Sequence, residues 1–240
     1  MAISDSIDMR RVALVSGASA GIGRAVAEHL LDHGWSVLGV DRADASLSHP
    51  AYRHAVLDLC DEAALRALAT REPADALVHA AGFMQTARLD ALSVADGERM
   101  WRLHVQAATV LTQAWLPHLL AAAKRGAGGR VVYIGSRVAH GMPGRGQYAA
   151  VKAALVAMAR SWAMEWAAHG LTFNVVAPAA TATAMLHDPG RASSPPRLPP
   201  IGRLIEPLEV AALVAYLLGP HAGAITGQEL TLCGGASLPG

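Results

Sequence analysis

A doubly wound α/β domain, a parallel sheet with helices on both faces, is the fold this chain predicts. Short apolar runs bounded by turn residues alternate with stretches of helical periodicity along the sequence, which is the pattern of a parallel sheet covered on both sides. The first such run opens directly into Gly17-Ala18-Ser19-Ala20-Gly21-Ile22-Gly23, a glycine-rich connection into a helix. The 240 residues are 52% hydrophobic and 16% charged, enough for one large core. Doubly wound sheets often exceed the usual domain length, so a single domain over 11–240 is expected after a short tail, 1–10.

In order, Arg11 to Ser16 reads as the first strand and Ile22 to His33 as the first helix. Val37 to Val40 is a strand ending at Asp41, and Ala55 to Leu57 a strand ending at Asp58. Ala76 to His79 follows, closed by Ala80-Ala81-Gly82. Val94 to Ala123 has the periodicity of one long helix, with Pro117 marking a kink or break. Val131 to Gly135 is a fifth strand, leading into a loop over Ser136 to Gly146. Tyr148 to Ala168 is helical, and Thr172 to Val176 is a strand closed by Ala177-Pro178. Residues 185–203 are rich in Pro, Gly and Ser and read as a mobile substrate loop. A helix beginning at Glu206-Pro207 runs through Leu218, and Glu229 to Leu232 is a last short strand.

A net charge of +1 gives no electrostatic case for nucleic acid or an anionic membrane. Cys60 and Cys233 lie far apart without Cys-x-x-Cys spacing, so no redox pair and no metal site is expected. Acids at Asp5 and Asp8 stand where a signal peptide needs bases. No apolar run is long enough to span a bilayer, and the reading is a soluble, cytoplasmic protein.

Gly17, Gly21 and Gly23 fall where a phosphate-binding turn must lie, and glycine lets the backbone approach a pyrophosphate at the helix N-terminus. Asp41, at the end of the second strand, is placed to accept from both ribose hydroxyls of adenosine and to repel a 2′-phosphate. Arg42 argues the other way, since a guanidinium suits phosphate. NAD is the expected cofactor, with NADP second.

Tyr148 and Lys152 stand one helical turn apart. A tyrosine has an unperturbed pKa of about 10, and an ammonium on the same helix face favours its phenolate. Ser136, just upstream, is able to donate to the oxygen that the tyrosine protonates.

Taken in order, the glycine turn, Asp41, Ser136, Tyr148 and Lys152 resemble the short-chain dehydrogenase/reductase family from about Val12 to Gly235. The resemblance implies a Rossmann-type fold and hydride exchange between NAD(H) and a secondary alcohol or ketone. It makes Tyr148 the acid/base, has Lys152 hold the nicotinamide ribose and has Ser136 orient the substrate oxygen. It places Ser19 and Ile22 with the glycine turn, Asp58 and Leu59 against adenine, and Ala80, Ala81 and Gly82 beside the cofactor. Pro178, Thr181 and Thr183 match the segment that caps the nicotinamide, with Met185, Met142 and His140 on the substrate side. A homotetramer or homodimer is implied as well.

The chain departs from the family pattern at four places. His104 stands where an asparagine holds a relay water, and a group titrating near neutrality is able to serve the relay itself, or else it packs. His79-Ala80 replaces an Asn-Asn turn, which removes side-chain hydrogen bonds. Ala179 replaces a glycine and is costly if that backbone needs positive φ. Cys233 replaces an acid near an expected subunit interface. Two other readings share the motifs: an NADPH-dependent reductase of beta-ketoacyl thioesters, and a nucleotide-binding pseudoenzyme.

Overall fold

The computed structural model describes residues 11–187 and 197–238. Seven strands are present there: β1 (Val12–Ser16), β2 (Ser36–Asp41), β3 (Tyr52–Val56), β4 (Ala76–His79), β5 (Gly129–Ile134), β6 (Leu171–Pro178) and β7 (Glu229–Leu232). They form one sheet in the order β3-β2-β1-β4-β5-β6-β7, parallel throughout. Central strands of such a sheet are covered on both faces and so read as continuous apolar runs rather than alternating ones. Every residue of β6 is buried, for example.

Helices α1 (Gly21–Asp32) and α6 (Pro207–Leu218) cover one face, with Val26, Leu30, Val214 and Leu217 among the residues in its core. Helices α2 (Glu62–Ala69), α4 (Ala107–Lys124) and α5 (Gly146–Trp166) cover the other, around Trp115, Tyr133 and Phe173. The winding reverses between β1 and β4, so a crevice opens beyond the carboxyl ends of those two strands. No helix among the described residues is long and apolar enough to cross a membrane.

The predicted doubly wound sheet is therefore present, with three local differences. Helix α2 was not anticipated; Asp61 caps it by accepting from the Ala64 N–H at 3.0 Å, and Leu65 and Leu68 bury its inner face. β3 begins at Tyr52 rather than Ala55, because an edge strand tolerates the half-exposed Arg53 and His54. The long helix expected over 94–123 is interrupted, but not at Pro117. Helix α3 (Val94–Trp101) passes into a π turn over Arg102–Gln106, and α4 then runs through Pro117, held to the sheet by the fully buried Trp115 and Leu119. The tail assigned to 1–10 and the 188–196 part of the expected substrate loop lie outside the described residues.

Candidate active site

The crevice is a cleft of about 1530 Å³, larger than a pocket for one drug-sized molecule and matched to a dinucleotide plus a substrate. Its floor is the turn after β1. Gly17 has φ +70, and a Cβ there would lie 2.8 Å from the Ala81 backbone. A Cβ on Gly23 would lie 2.1 Å from the Gly17 carbonyl oxygen. Only glycine lets β1, the turn and the first turn of α1 pass this close to the turn after β4. Ala20 provides no side-chain cap to α1, so the first N–H groups of that helix are left for a phosphate. Ile22, Ala80 and Gly82 complete this wall, and the residues present fit a dinucleotide.

Asp41 and Arg42 line the cleft at the end of β2. The Asp41 carboxylate accepts from the Ser19 N–H and the Ala43 N–H, each at 3.1 Å, which fixes its orientation. Ser19 itself is not part of the lining: its hydroxyl turns away and donates to the Asp44 carbonyl at 2.9 Å. Its part is to hold Asp41. Asp58 and Leu59 line the same end, with the Asp58 carboxylate accepting from the Cys60 N–H at 2.8 Å. Across the cleft, Thr183 closes on the glycine turn: a Cβ on Gly21 would lie 3.5 Å from its Cγ2. Pro178, Thr181 and Met185 belong to this wall, with Thr181 donating to the Ala179 carbonyl at 3.0 Å. Ala179 is unstrained, since no residue other than glycine has positive φ among those described.

At the other end, α5 presents Tyr148 and Lys152 on its cleft side. The Lys152 ammonium lies 5.6 Å from the Tyr148 ring centroid and donates to the Ile134 carbonyl at 2.7 Å. Burial pushes the Lys152 pKa down to about 7. Ser136, two residues past β5, accepts from the Val138 N–H at 3.2 Å, so its own hydroxyl hydrogen is left for another acceptor. Met142 lines this end, but His140 does not; its Nε2 lies 3.1 Å from Glu229 and the ring is mostly exposed. The sequence expectation of a substrate contact at His140 is corrected accordingly.

The π turn carries His104 into the interior beside Tyr148, with ring centroids 5.8 Å apart. A Cβ on Gly82 would lie 2.2 Å from His104 Cε1, so the imidazole occupies the space that this glycine leaves. His104 Nε2 lies 2.8 Å from the Phe83 carbonyl oxygen, which assigns the proton to Nε2 and leaves Nδ1 as an acceptor. The longer 3.2 Å contact with the Phe83 N–H is not compatible with that tautomer. Nδ1 is buried without a hydrogen-bond partner among the described residues. Burial, and then the Lys152 charge, hold the His104 pKa well below the usual range, so the imidazole stays neutral. Of the two readings that the sequence leaves open for His104, this burial favours the one in which the imidazole does not titrate near neutrality.

His79 also differs from expectation. Far from removing side-chain hydrogen bonds, it makes two: Nδ1 with Ser16 Oγ at 2.8 Å and Nε2 with the Leu103 carbonyl at 3.2 Å. Ser16 Oγ in turn accepts from the Ala80 and Ala81 N–H groups. This brace between β1, β4 and the π turn was missed in the sequence; the one signal for it was a polar residue at each of two strand ends. Burial, and then Lys152, lower the His79 pKa to about 3. Between pH 3 and about 6.5 the unfolded chain binds a proton at His79 that the folded chain refuses, so stability rises with pH there and is lost on acidification. Replacing His79 with Asn should remove about 1.4 kcal/mol per pH unit of that dependence below 6.5. Thermal unfolding of both proteins from pH 4.5 to 7 measures it; parallel curves would contradict the assignment.

A family model described as Enoyl-(Acyl carrier protein) reductase matches residues 17–237. The 3-oxoacyl-[acyl-carrier-protein] reductase FabG of Vibrio cholerae is 32% identical, over 94% of this chain and 96% of that protein. The 2,3-dihydro-2,3-dihydroxybenzoate dehydrogenase of Escherichia coli is 32% identical, over 93% of this chain and 96% of that one. The structure of 3-ketoacyl-(acyl-carrier-protein) reductase from Brucella melitensis complexed with NADH matches with a TM-score of 0.85 at 26% identity, covering 95% of this chain and 98% of that one. With the doubly wound sheet and its glycine-floored cleft, these matches show that the chain belongs to the short-chain dehydrogenase/reductase family of NAD(P)-dependent oxidoreductases.

Proposed function

We propose that the protein interconverts a secondary alcohol and a ketone with NAD(H) as its preferred cofactor, Tyr148 acting as the acid/base. The observation that carries this reading is the convergence of Ser136, Tyr148 and Lys152 in the cleft that the glycine turn floors. The nicotinamide, when bound, supplies or accepts the hydride. Tyr148 Oη gives its proton to the carbonyl oxygen in reduction and takes it from the carbinol hydroxyl in oxidation. The Lys152 ammonium favours the phenolate and so brings the exchange toward neutral pH. Ser136, its hydroxyl hydrogen left for an acceptor, donates to the same substrate oxygen and fixes the carbon it belongs to. The cleft residues Gly17, Gly21, Gly23, Asp41 and Thr183 are assigned to the dinucleotide on this reading.

The preference for NAD rests on the oriented Asp41 carboxylate, which is held by two backbone N–H groups. It accepts from ribose hydroxyls and repels a phosphate. Asp41→Ala should narrow the NAD/NADP ratio of kcat/KM by at least ~10-fold, since hydrogen bonds to charged groups contribute about 1.5–3 kcal/mol. Arg42 remains to receive the phosphate. Steady-state kinetics with both nucleotides test this, and a wild-type preference for NADP would refute it.

A second reading, an NADPH-dependent ketoacyl thioester reductase, is favoured by the names of the FabG relatives. Faster reduction of acetoacetyl-coenzyme A with NADPH than of simple ketones with NADH would put it first. The protein is further read as a cytoplasmic homotetramer or homodimer, for which Met164 on α5 and Tyr216 on α6 offer exposed apolar surface. Light scattering at micromolar concentration reads this directly, and a monomer would refute it.

A further inference from the structure

We infer that the substrate carries a carboxylate close to its reacting carbon and that Arg137 recognises it; the inference rests on the oxidoreductase reading of this same cleft. Charge in the cleft is divided by location. The acidic side chains lining it among the described residues are Asp41 and Asp58, both at the adenosine end, after β2 and β3. Around Ser136 and Tyr148 the lining carries Arg137 and Arg145 and no acid, whereas at the adenosine end the acids are accompanied by Arg42 and by Arg102, which acts on Cys60 beside Asp58. A cleft lined by one sign of charge and bounded by low-dielectric walls concentrates ligands of the other sign.

The arginines lining the cleft are not equivalent. Arg99 is ion-paired with Asp96, and Arg102 and Arg197 are exposed. Arg137 is half-buried and makes no ion pair with a carboxylate of the described residues. Its Nη2 donates to the Ala236 carbonyl at 2.6 Å, and its Nε is buried with no hydrogen-bond partner. A buried N–H without a partner on a cation that has no counter-ion is a polar group left to be satisfied, and an anion entering the cleft is able to satisfy it. A planar carboxylate matches the guanidinium fork, so the pairing is directional as well as attractive.

Position decides between sources of negative charge. Arg137 follows Ser136 directly, and Arg145, which is buried, lies three residues before Tyr148. Both line the cleft beside the groups that hold the reacting oxygen. A carboxylate on the reacting molecule itself falls within their reach. The phosphates of an acyl thioester sit at the far end of a long pantetheine arm, well away from the reacting carbon and so from Arg137. Met84, Val138 and Met142 supply apolar walls for the body of a small acid.

The test uses the full chain with NAD(H) and matched substrates: short aliphatic and cyclic hydroxy and keto acids, 3-hydroxybutyrate and 2-oxocyclohexanecarboxylate among them. Each is measured beside its methyl ester and its coenzyme A thioester, by steady-state kinetics and by calorimetric binding. Acids should exceed their esters in kcat/KM by at least ~10-fold, chiefly through KM. Arg137→Met should bring that ratio close to one, and Arg137→Lys should retain part of it. Nucleotide affinity and thermal unfolding of the variants check that they fold. Equal use of acids and esters by the wild type, an equal loss for both in Arg137→Met, or a thioester surpassing the free acid overturns the inference. So does failure of every acid to bind. Reduction of neutral ketones alone sinks the inference and keeps the oxidoreductase reading. Arg137-dependent binding of acids without turnover keeps the recognition site and sinks that reading.

Discussion

Tyr148→Phe is expected to lower kcat by at least ~100-fold, because a positioned acid/base contributes about 10²–10⁴-fold and phenylalanine has no proton to exchange. The substitution is chosen because it leaves the surroundings in place. The ring is buried, packs edge-on against His104 and lies near the Lys152 ammonium, and all of these contacts survive loss of the hydroxyl. Nucleotide affinity should stay within about threefold, since binding is carried by the far end of the cleft, and a loss confined to kcat marks an interaction made only in the transition state. Ser136 and Lys152 remain, so a residual rate above background is expected from orientation alone. Turnover near the wild-type value would remove Tyr148 from the chemistry and leave the Tyr-x-x-x-Lys pair as buried packing.

How much of this was legible in the sequence depends on the range of the interaction involved. The parallel sheet and the glycine turn were readable because each is local: an apolar run, a turn and a helix start leave contiguous marks. Ser136, Tyr148 and Lys152 were readable because a helix repeats every 3.6 residues and sets two of them on one face. The environment of His104 was not. Whether that imidazole titrates depends on its burial and on the Lys152 charge 48 positions along the chain, and neither is a property of the Arg102-Leu103-His104 segment. The π turn was invisible for a related reason. Pro117 carries the obvious helix-breaking chemistry, yet packing of Trp115 and Leu119 holds that helix continuous. The interruption falls where Gly82 leaves space for an imidazole, a match between two distant elements. Likewise Asp41 is legible by its place at a strand end, while the bond by which Ser19, two residues before the first helix, ties its turn to the Asp44 loop is not a property of either segment alone.

His104→Ala is expected to lower kcat by up to ~100-fold, and His104→Asn to restore most of it. The reasoning starts from the orphaned nitrogen. Nε2 is committed to the Phe83 carbonyl, and Nδ1 is a buried acceptor beside Tyr148 with no partner among the described residues. We propose that Nδ1 accepts from a water that passes protons from Lys152 toward solvent. The neutral imidazole then positions the relay without itself changing charge. An asparagine carbonyl is able to take the same hydrogen bond from a water, whereas alanine holds nothing. Because burial keeps the imidazole neutral, the shape of the kcat–pH profile should be the same in wild type and His104→Asn, with any limb near pH 7 belonging to Lys152, whose pKa burial brings to about 7. The height of the profile, rather than a new ionisation, is therefore the discriminating quantity. A purely structural role predicts otherwise: both variants would lose thermal stability by removing a buried ring, and kcat would follow stability. Measuring kcat against pH alongside thermal unfolding for the three proteins separates the two. Equal kcat in His104→Ala and His104→Asn would leave His104 as packing against Gly82 and assign the relay elsewhere.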